Sequence, residues 1–558
     1  NLRITDIASA GKDDSLVLAT DGTDLIIHDP AYNLGTDIAG AAGHGTKTVR
    51  VPLSQFAGSV IVDLSLGDDS LTIDSLPNAF ASGLLVQGGG GSDMFILNGE
   101  ISLSADAGIT IDAEVETSVL ANNIATDGGH ITIPGNVVLG KPLGFVVIDT
   151  ETNNVGDAGN VLLAHGIGSS ISGNGMDKEL YIDTRTGQVG ADNGDVWLGA
   201  FNNSAGFYLR SLLVNTSGNG SFPSGSVKLL GDILLDAATS TSALDIQSRS
   251  HLVLSQTTRI DLEQGDDGLA GSADLSFVGG FLYGVTADAP DVDLIIDASA
   301  ASGSGDVRLP AFTNTGGFYL NDVMVITAVD NVIGLSGNIR LDGYATGDPA
   351  DFHAIGGRVV GGSAVQLIDT EQGDDFDGGG VIMTAGPLSG GAPGRDVFID
   401  TSTLGLGNRG GNVQLPAIGI AAMNSDYLRS VAIKTGGSAG SGRVTIGGDV
   451  RTQGNAASAG GFEVTGGGDI LLLQSTTFDT EQADAQNGGH VRFGTSQLIP
   501  SHAGLNATID TRTNAAGGTS EFSLALQTTS TAPPTILRDS LIVTVLDEDT
   551  EEAGFGIP

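Results

Sequence analysis

A pattern of about 110 residues passes three times along this chain between Tyr181 and Gly504 and then begins a fourth time. Leu-Tyr-Ile-Asp-Thr at 180–184 returns as Leu-Ile-Ile-Asp-Ala at 294–298, Val-Phe-Ile-Asp-Thr at 397–401 and Ala-Thr-Ile-Asp-Thr at 507–511. A second marker follows each time: Tyr208-Leu209-Arg210, Tyr319-Leu320-Asn321, Tyr427-Leu428-Arg429 and Ile536-Leu537-Arg538. A third reads Ile260-Asp261-Leu262-Glu263-Gln264, Ile368-Asp369-Thr370-Glu371-Gln372 and Phe478-Asp479-Thr480-Glu481-Gln482. Three landmarks in one order at one spacing define a repeat array, and any fold for this chain has to accommodate it.

Within a unit the rhythm is finer. Phrases of three to six residues alternate apolar with polar positions and are divided by glycine-rich turns, as at Leu209–Val214, Leu244–Ile246 and Leu252–Leu254. Gly194-Asp195-Val196-Trp197-Leu198 recurs as Gly305-Asp306-Val307-Arg308-Leu309 and Gly411-Asn412-Val413-Gln414-Leu415. Gly225-Ser226-Val227-Lys228-Leu229 is matched by Gly337-Asn338-Ile339-Arg340-Leu341 and Gly442-Arg443-Val444-Thr445-Ile446. The aliphatics of each phrase point to one face and the long polar residue to the other. No window carries the apolar spacing of an amphipathic helix.

The expected fold is therefore all-β: a parallel β-solenoid (β-helix), right-handed, of short strands stacked about 4.8 Å apart. Coils of roughly 20–25 residues would place four to six in each unit. The alternative is a string of tandem β-sandwich domains, for which about 100 residues per domain is ordinary. Short strands and a single, unrepeated Trp197 favour the solenoid. Residues 1–100 read as a small N-terminal β region or cap, and 101–178 as irregular coils. Repeats then run over 179–290, 291–394 and 395–504, and 505–558 holds a partial fourth repeat with an acidic tail. The start at Asn1, without a signal peptide, and the uncapped close at Pro558 suggest a mature form or a piece of a longer parent.

Composition narrows function. With 23 Lys and Arg against 66 Asp and Glu, the formal net charge is -43, which repels nucleic acid and anionic lipid and attracts cations. There is no Cys, so disulfides, thiolate metal sites and cysteine catalysis are excluded. No run of 18 apolar residues offers a direct membrane span. Eight scattered histidines show no metal-ligand spacing, and nucleophile elbows and phosphate loops are missing.

Carboxylates are the remaining chemistry. Asp261, Glu263, Asp266 and Asp267 form an acidic corner that returns as Asp369, Glu371, Asp374 and Asp375. Asp68, Asp69 and Asp93 sit in glycine-rich turns nearer the N-terminus. Calcium takes six to eight hard oxygens in irregular geometry, so these are the candidate calcium ligands. The competing reading is a solvated turn whose Asp side chains accept backbone N–H bonds. The Asp of the Ile-Asp-Thr marker fits that corner-shaping role, and the marker arginines Arg210 and Arg429 fit either an ion pair to the next coil or a repeated docking strip.

These repeats resemble those of large secreted repetitive bacterial surface proteins, among them filamentous-haemagglutinin-like adhesins and glycine- and Asp-rich β-solenoid proteins. The resemblance covers roughly 100–530 and is one of style. It implies an extracellular or cell-surface protein: a non-enzymatic rigid rod that self-associates into a filament or coat. The alternative it implies is an adhesin binding a surface glycan or a host. A polysaccharide-degrading β-helix enzyme fits less well, because the carboxylates recur with the repeat and basic residues are few. Tyr-Leu-Arg copies aligned on one face would favour assembly, and a single aromatic-lined groove would favour glycan binding.

Overall fold

The structure is a computed structural model. It describes the chain except residues 6–10, 81, 82, 105, 220–224, 238–242, 249, 265–272, 277–283, 301–304, 316, 345–347, 374, 385, 420–426, 455–459, 481–488, 512–520, 524–541, 548, 549, 557 and 558. The described residues are strands and turns, with one short 3-10 turn at Leu53–Gln55 and no α-helix. Two compact units divide at Tyr283 and Gly284.

In the first unit each turn of the chain lays down three short strands, and each strand pairs in parallel with its counterpart in the next turn. One ladder runs from Leu2–Thr5 through Val60–Asp63, Ile109–Ile111 and Val161–Leu163 to Leu252–Leu254. A second runs from Ser15–Thr20 through Met94–Leu97 and Asn136–Leu139 to Thr258–Asp261. A third runs from Ile101–Leu103 through Phe145–Asp149 and Glu179–Asp183 to Ala273–Ser276. The pairing is residue for residue beyond the first coils, with Asp149 opposite Asp183. This is a β-solenoid. The tandem-sandwich alternative is set aside, since sandwich sheets are antiparallel and these ladders are parallel.

Alternation makes the core. Ile109, Ile131, Val161, Val196, Val227 and Leu252 stack in one inward column and are all fully buried. Burying such a side chain is worth about 1.5–3 kcal/mol, and stacking like on like repeats that gain at every coil. Thr110, Thr132, Trp197 and Lys228 point outward from the same strands, with the Lys228 ammonium 5.0 Å from the Trp197 ring centre. At the start, Ser15–Thr20 pairs antiparallel with Asp24–His28, which pairs antiparallel with Thr48–Pro52.

The second unit repeats the plan. Its ladders run from Leu294–Ala298 to Leu498–Pro500, from Val307–Leu309 to Ile542–Asp547, and from Ile339–Arg340 to Glu521–Ser523. Thr550–Gly556 then adds antiparallel to Ile542–Asp547.

Two expectations change. Beyond the first coil, register partners such as Thr117 with Asn136 and Asn506 with Ile542 show that one turn takes 19 to 36 residues. A repeat therefore holds fewer than the expected four coils, because several corners carry loops of ten residues or so. The phrase at Gly337 also has a different counterpart. Leu209 bridges to Leu235, Leu320 to Leu341, and Leu428 to Thr452. That equates Gly337-Asn338-Ile339 with Gly231-Asp232-Ile233 and Gly448-Asp449-Val450, one strand on from the match the alternation alone suggests.

The long repeat and the coil are out of step. Between Leu294–Ala298 and its repeat counterpart Arg395–Asp400 lie nine strands and the bridge at Phe312, which takes a strand's place, so the counterpart is eleven positions on. Between there and Asn506–Asp510 lie nine strands again and the bridge at Ile418, which takes a strand's place. Eleven positions are not a multiple of three. The three copies consequently lie on three different ladders of the second unit.

Candidate functional site

The first and third sequence markers are one corner device. Asp149, Asp183, Asp261, Asp297, Asp369 and Asp400 each accept, through Oδ1, the backbone N–H two residues on, at 3.0 to 3.3 Å. The next residue closes the loop. Thr150 donates its hydroxyl to the Gly159 carbonyl at 2.7 Å, Thr184 to Gly194 at 2.6 Å, Thr370 to Gly379 at 2.7 Å and Thr401 to Gly411 at 2.8 Å. An Asx turn opens the corner and a threonine clamp shuts it.

Other acids join one coil to the next. Asp351 gives its N–H to Asp322 Oδ1 at 2.7 Å, and Asp322 gives its own to Asp293 Oδ1 at 3.0 Å. Burial pushes Asp322 up to about 6, and Asp293 and Asp351 add to the shift. Much of the chain's acidity is thus occupied by its own backbone.

Asp68, Asp69 and Asp93 come together on one such corner. Asp69 Oδ1 accepts the Asp14 N–H at 2.6 Å, Asp93 Oδ1 accepts the Asp69 N–H at 3.0 Å, and Glu116 Oε2 accepts the Asp93 N–H at 2.5 Å. Asp68 Oδ1 takes the Ser92 N–H at 2.9 Å. Asp69 and Asp93 are each 2 % exposed, and the second oxygen of each meets no protein donor. Burial pushes Asp69 up to about 6, with the Asp93 and Asp14 charges adding; burial likewise raises Asp93, with Glu116 and Asp68 adding.

The acidic corners are arranged differently. Asp261 is ringed by donors: the Glu263 N–H, the Gln264 amide at 2.5 Å and the Arg259 guanidinium at 2.7 Å. Glu263 is buried and bridges to Asp236 of the preceding coil. In the second unit Glu371 Oε1 accepts the Asp375 N–H at 3.1 Å and the Phe376 N–H at 3.3 Å. Its carboxyl also meets that of Asp342, one coil back. Burial pushes Glu371 up to about 7, the Asp342 charge adds, and Asp342 is raised as well. Two carboxyls this close disfavour ionising together. Burial raises Glu151 too, and the Asp127 charge adds. Asp266, Asp267 and Asp374 lie outside the described residues. Among the described residues no group of three acids or histidines is arranged to hold a metal ion.

Sequence reading missed the partners Asp127, Asp236 and Asp342. Their signal is the phrase Leu235-Asp236-Ala237, Leu341-Asp342-Gly343 and Thr452-Gln453-Gly454, which precedes each corner by one coil. It becomes legible only when the coil length is known.

The marker arginines pair between coils: Arg210 Nε reaches Glu179 Oε1 at 3.2 Å, and Arg429 Nε reaches Asp396 Oδ1 at 2.9 Å. Arg538 lies outside the described residues. Tyr319 heads instead into a surface groove of about 540 Å³ shared with Arg340, Asp342 and Gln372, beside a smaller one of about 130 Å³. Burial raises the Tyr319 hydroxyl pKa, while Arg340, hydrogen-bonded to it, works the other way. No helix among the described residues is long and apolar enough to cross a membrane. Comparison with protein-family models, curated proteins and solved structures finds no match.

Proposed function

We propose that this chain is a non-enzymatic structural element of an extracellular or cell-surface protein, associating with further copies of itself into a filament or coat. The observation that carries the reading is the use made of its carboxylates. In coil after coil they accept backbone N–H groups at the corners, which stiffens a stack rather than building a reaction centre. A solenoid gains stability by adding neighbours, which suits an architectural role. Glu371, the acid that burial raises furthest among the described residues, is 2 % exposed, out of a substrate's reach. The lack of Cys and the charge of -43 fit a secreted protein, as does the resemblance to filamentous-haemagglutinin-like surface proteins.

Calcium belongs to the proposal at the Asp69–Asp93 column. There two buried carboxylate oxygens lack protein donors, and a hard cation would meet them.

Electron microscopy of the purified chain, with calcium and after chelation, tests the reading. Ordered filaments or sheets that loosen on chelation are expected. Isolated particles under both conditions would overturn self-assembly. Assemblies indifferent to chelation would overturn the calcium role alone.

A second reading, an adhesin that holds a surface glycan, is favoured by the groove beside Asp342, where exposed aromatic rings meet polar side chains.

A further inference from the structure

The groove of the second unit is built from successive coils. Gly317-Phe318-Tyr319 forms one wall, and Asp342-Gly343-Tyr344, from the next coil, forms the other. Phe318 is 43 % exposed and Tyr344 54 % exposed. Two large rings thus lie open to water on one short stretch of surface. The exposed phenylalanine is also held in place. Its N–H donates to the Ala287 carbonyl and its carbonyl accepts the Ala287 N–H, both at 3.1 Å, and the Thr286 hydroxyl bonds the same carbonyl at 3.0 Å. Asp342 on the floor is fixed by the Gly373 N–H at 3.1 Å.

The polar lining has both signs of hydrogen-bond function. Asp342 accepts, Arg340 donates, and Asn314 and Gln372 do both. A ligand rich in hydroxyls, each donor and acceptor at once, matches that set, and its C–H faces match the rings. An organic cation would meet Arg340. An anion would meet Asp342, Asp291 and the field of the whole chain. From this arrangement we infer that the groove bounded by Phe318, Tyr319 and Tyr344 binds a neutral saccharide, with Asp342, Arg340 and Asn314 holding its hydroxyls. The ring-lined part measures about 130 Å³ and adjoins the polar part of about 540 Å³ that Arg340 and Gln372 line, with Asn314, Tyr319 and Asp342 common to both.

The first unit supplies an internal control. Gly206-Phe207-Tyr208-Leu209 repeats Gly317-Phe318-Tyr319-Leu320, and Phe207 is 41 % exposed. There, however, Asp236 is followed by Ala237 and Ala238, so the second ring is missing. One unit binds and the other does not.

The inference rests on the adhesin reading and names its site and ligand class. Isothermal calorimetry of the full chain against cellobiose, maltose, lactose and N,N′-diacetylchitobiose tests it, with digalacturonate and choline as charged controls. We expect at least one neutral disaccharide to bind with a Kd on the order of a millimolar or tighter. Tyr344→Ala and Phe318→Ala, checked for unchanged circular dichroism, should each weaken it about tenfold, and Phe207→Ala should leave it unchanged. Neutral binding that survives both groove variants would overturn the site and leave the adhesin reading standing. Preference for either charged control would overturn the ligand class. Binding of no neutral saccharide by the unaltered chain would overturn the inference, and the adhesin reading falls with it only if digalacturonate also fails to bind.

Discussion

Gly337 stacks directly on Ala311: a Cβ placed on Gly337 would lie 2.6 Å from the Ala311 nitrogen and 2.7 Å from its Cβ. The same contact recurs where Gly231 meets Ala200 and where Gly448 meets Ala417. In each case the next residue reaches onward. Asp232 Oδ1 accepts the Arg259 N–H at 2.8 Å, Asn338 Oδ1 the Leu367 N–H at 3.1 Å, and Asp449 Oδ1 the Thr477 N–H at 2.9 Å. A Gly-Asp or Gly-Asn corner thus fixes the spacing to the coil on one side and the register to the coil on the other.

Gly337→Ala should therefore destabilise the chain by about 1–3 kcal/mol, because the new methyl meets backbone that parallel ladders hold in place. Changing Ala311 to Gly in the same chain should recover only part of the loss, since the backbone contact remains. Chemical denaturation measures both. A neutral Gly337→Ala would mean that the coil spacing yields at this corner.

Thr401→Val keeps the shape of the corner and removes the hydroxyl that meets the Gly411 carbonyl. We expect a loss of about 1 kcal/mol and faster amide exchange across the loop 402–410. Thr401→Ser should retain most of the stability. Equal exchange in Thr401→Val and the parent would remove the clamp from the account.

The Asp342–Glu371 pair makes stability depend on pH. Glu371 sits near 4.5 in the unfolded chain and at about 7 when folded, so the folded state holds the proton more tightly. Stability is then highest at acid pH, falls as pH rises from about 4.5 to about 7, and levels off above. Glu371→Gln should flatten that slope and raise the thermal midpoint above pH 7 by a few degrees. The third repeat already carries Gln453 where Asp342 stands in the second. A slope unchanged in Glu371→Gln would place the titrating group elsewhere.

The Asp69–Asp93 column gives the same sign in a lower window. Asp69 rises from 3.8 to about 6 on folding, so its contribution is lost between those values as pH rises. Millimolar calcium at pH 7 should restore stability, because a ligand that binds only the folded state stabilises it by mass action. Asp69→Asn combined with Asp93→Asn should remove the calcium response and most of the pH response in that window. A midpoint indifferent to calcium in the parent chain would rule the cation out at this column.

The repeat markers, the alternation of Val196, Trp197 and Leu198 and the glycine corners were all legible in the sequence, since each depends on residues a few positions apart. So was the all-β class, which follows from a period of two with no period of 3.6. The corner role of Asp183 and Asp400 was legible as well, because an Asx turn is local. The candidate site was half legible. Glu371 stood out in its motif, whereas its partner Asp342 did not, being 29 residues earlier with no local pattern to join them.

What the sequence determined by itself was a ladder of short strands with defined inward faces. The tertiary structure alone decided which strand stacks on which. That pairing is set by how many residues each corner takes, 19 to 36 per turn beyond the first coil, and the long repeat does not measure it. Eleven strand positions to a repeat and three to a coil carry Leu294–Ala298, Arg395–Asp400 and Asn506–Asp510 onto different ladders. Residues alike in sequence therefore face different neighbours. For the same reason no aligned strip of Tyr-Leu-Arg copies forms in the second unit, where Leu320 and Leu428 bridge to strands of different ladders.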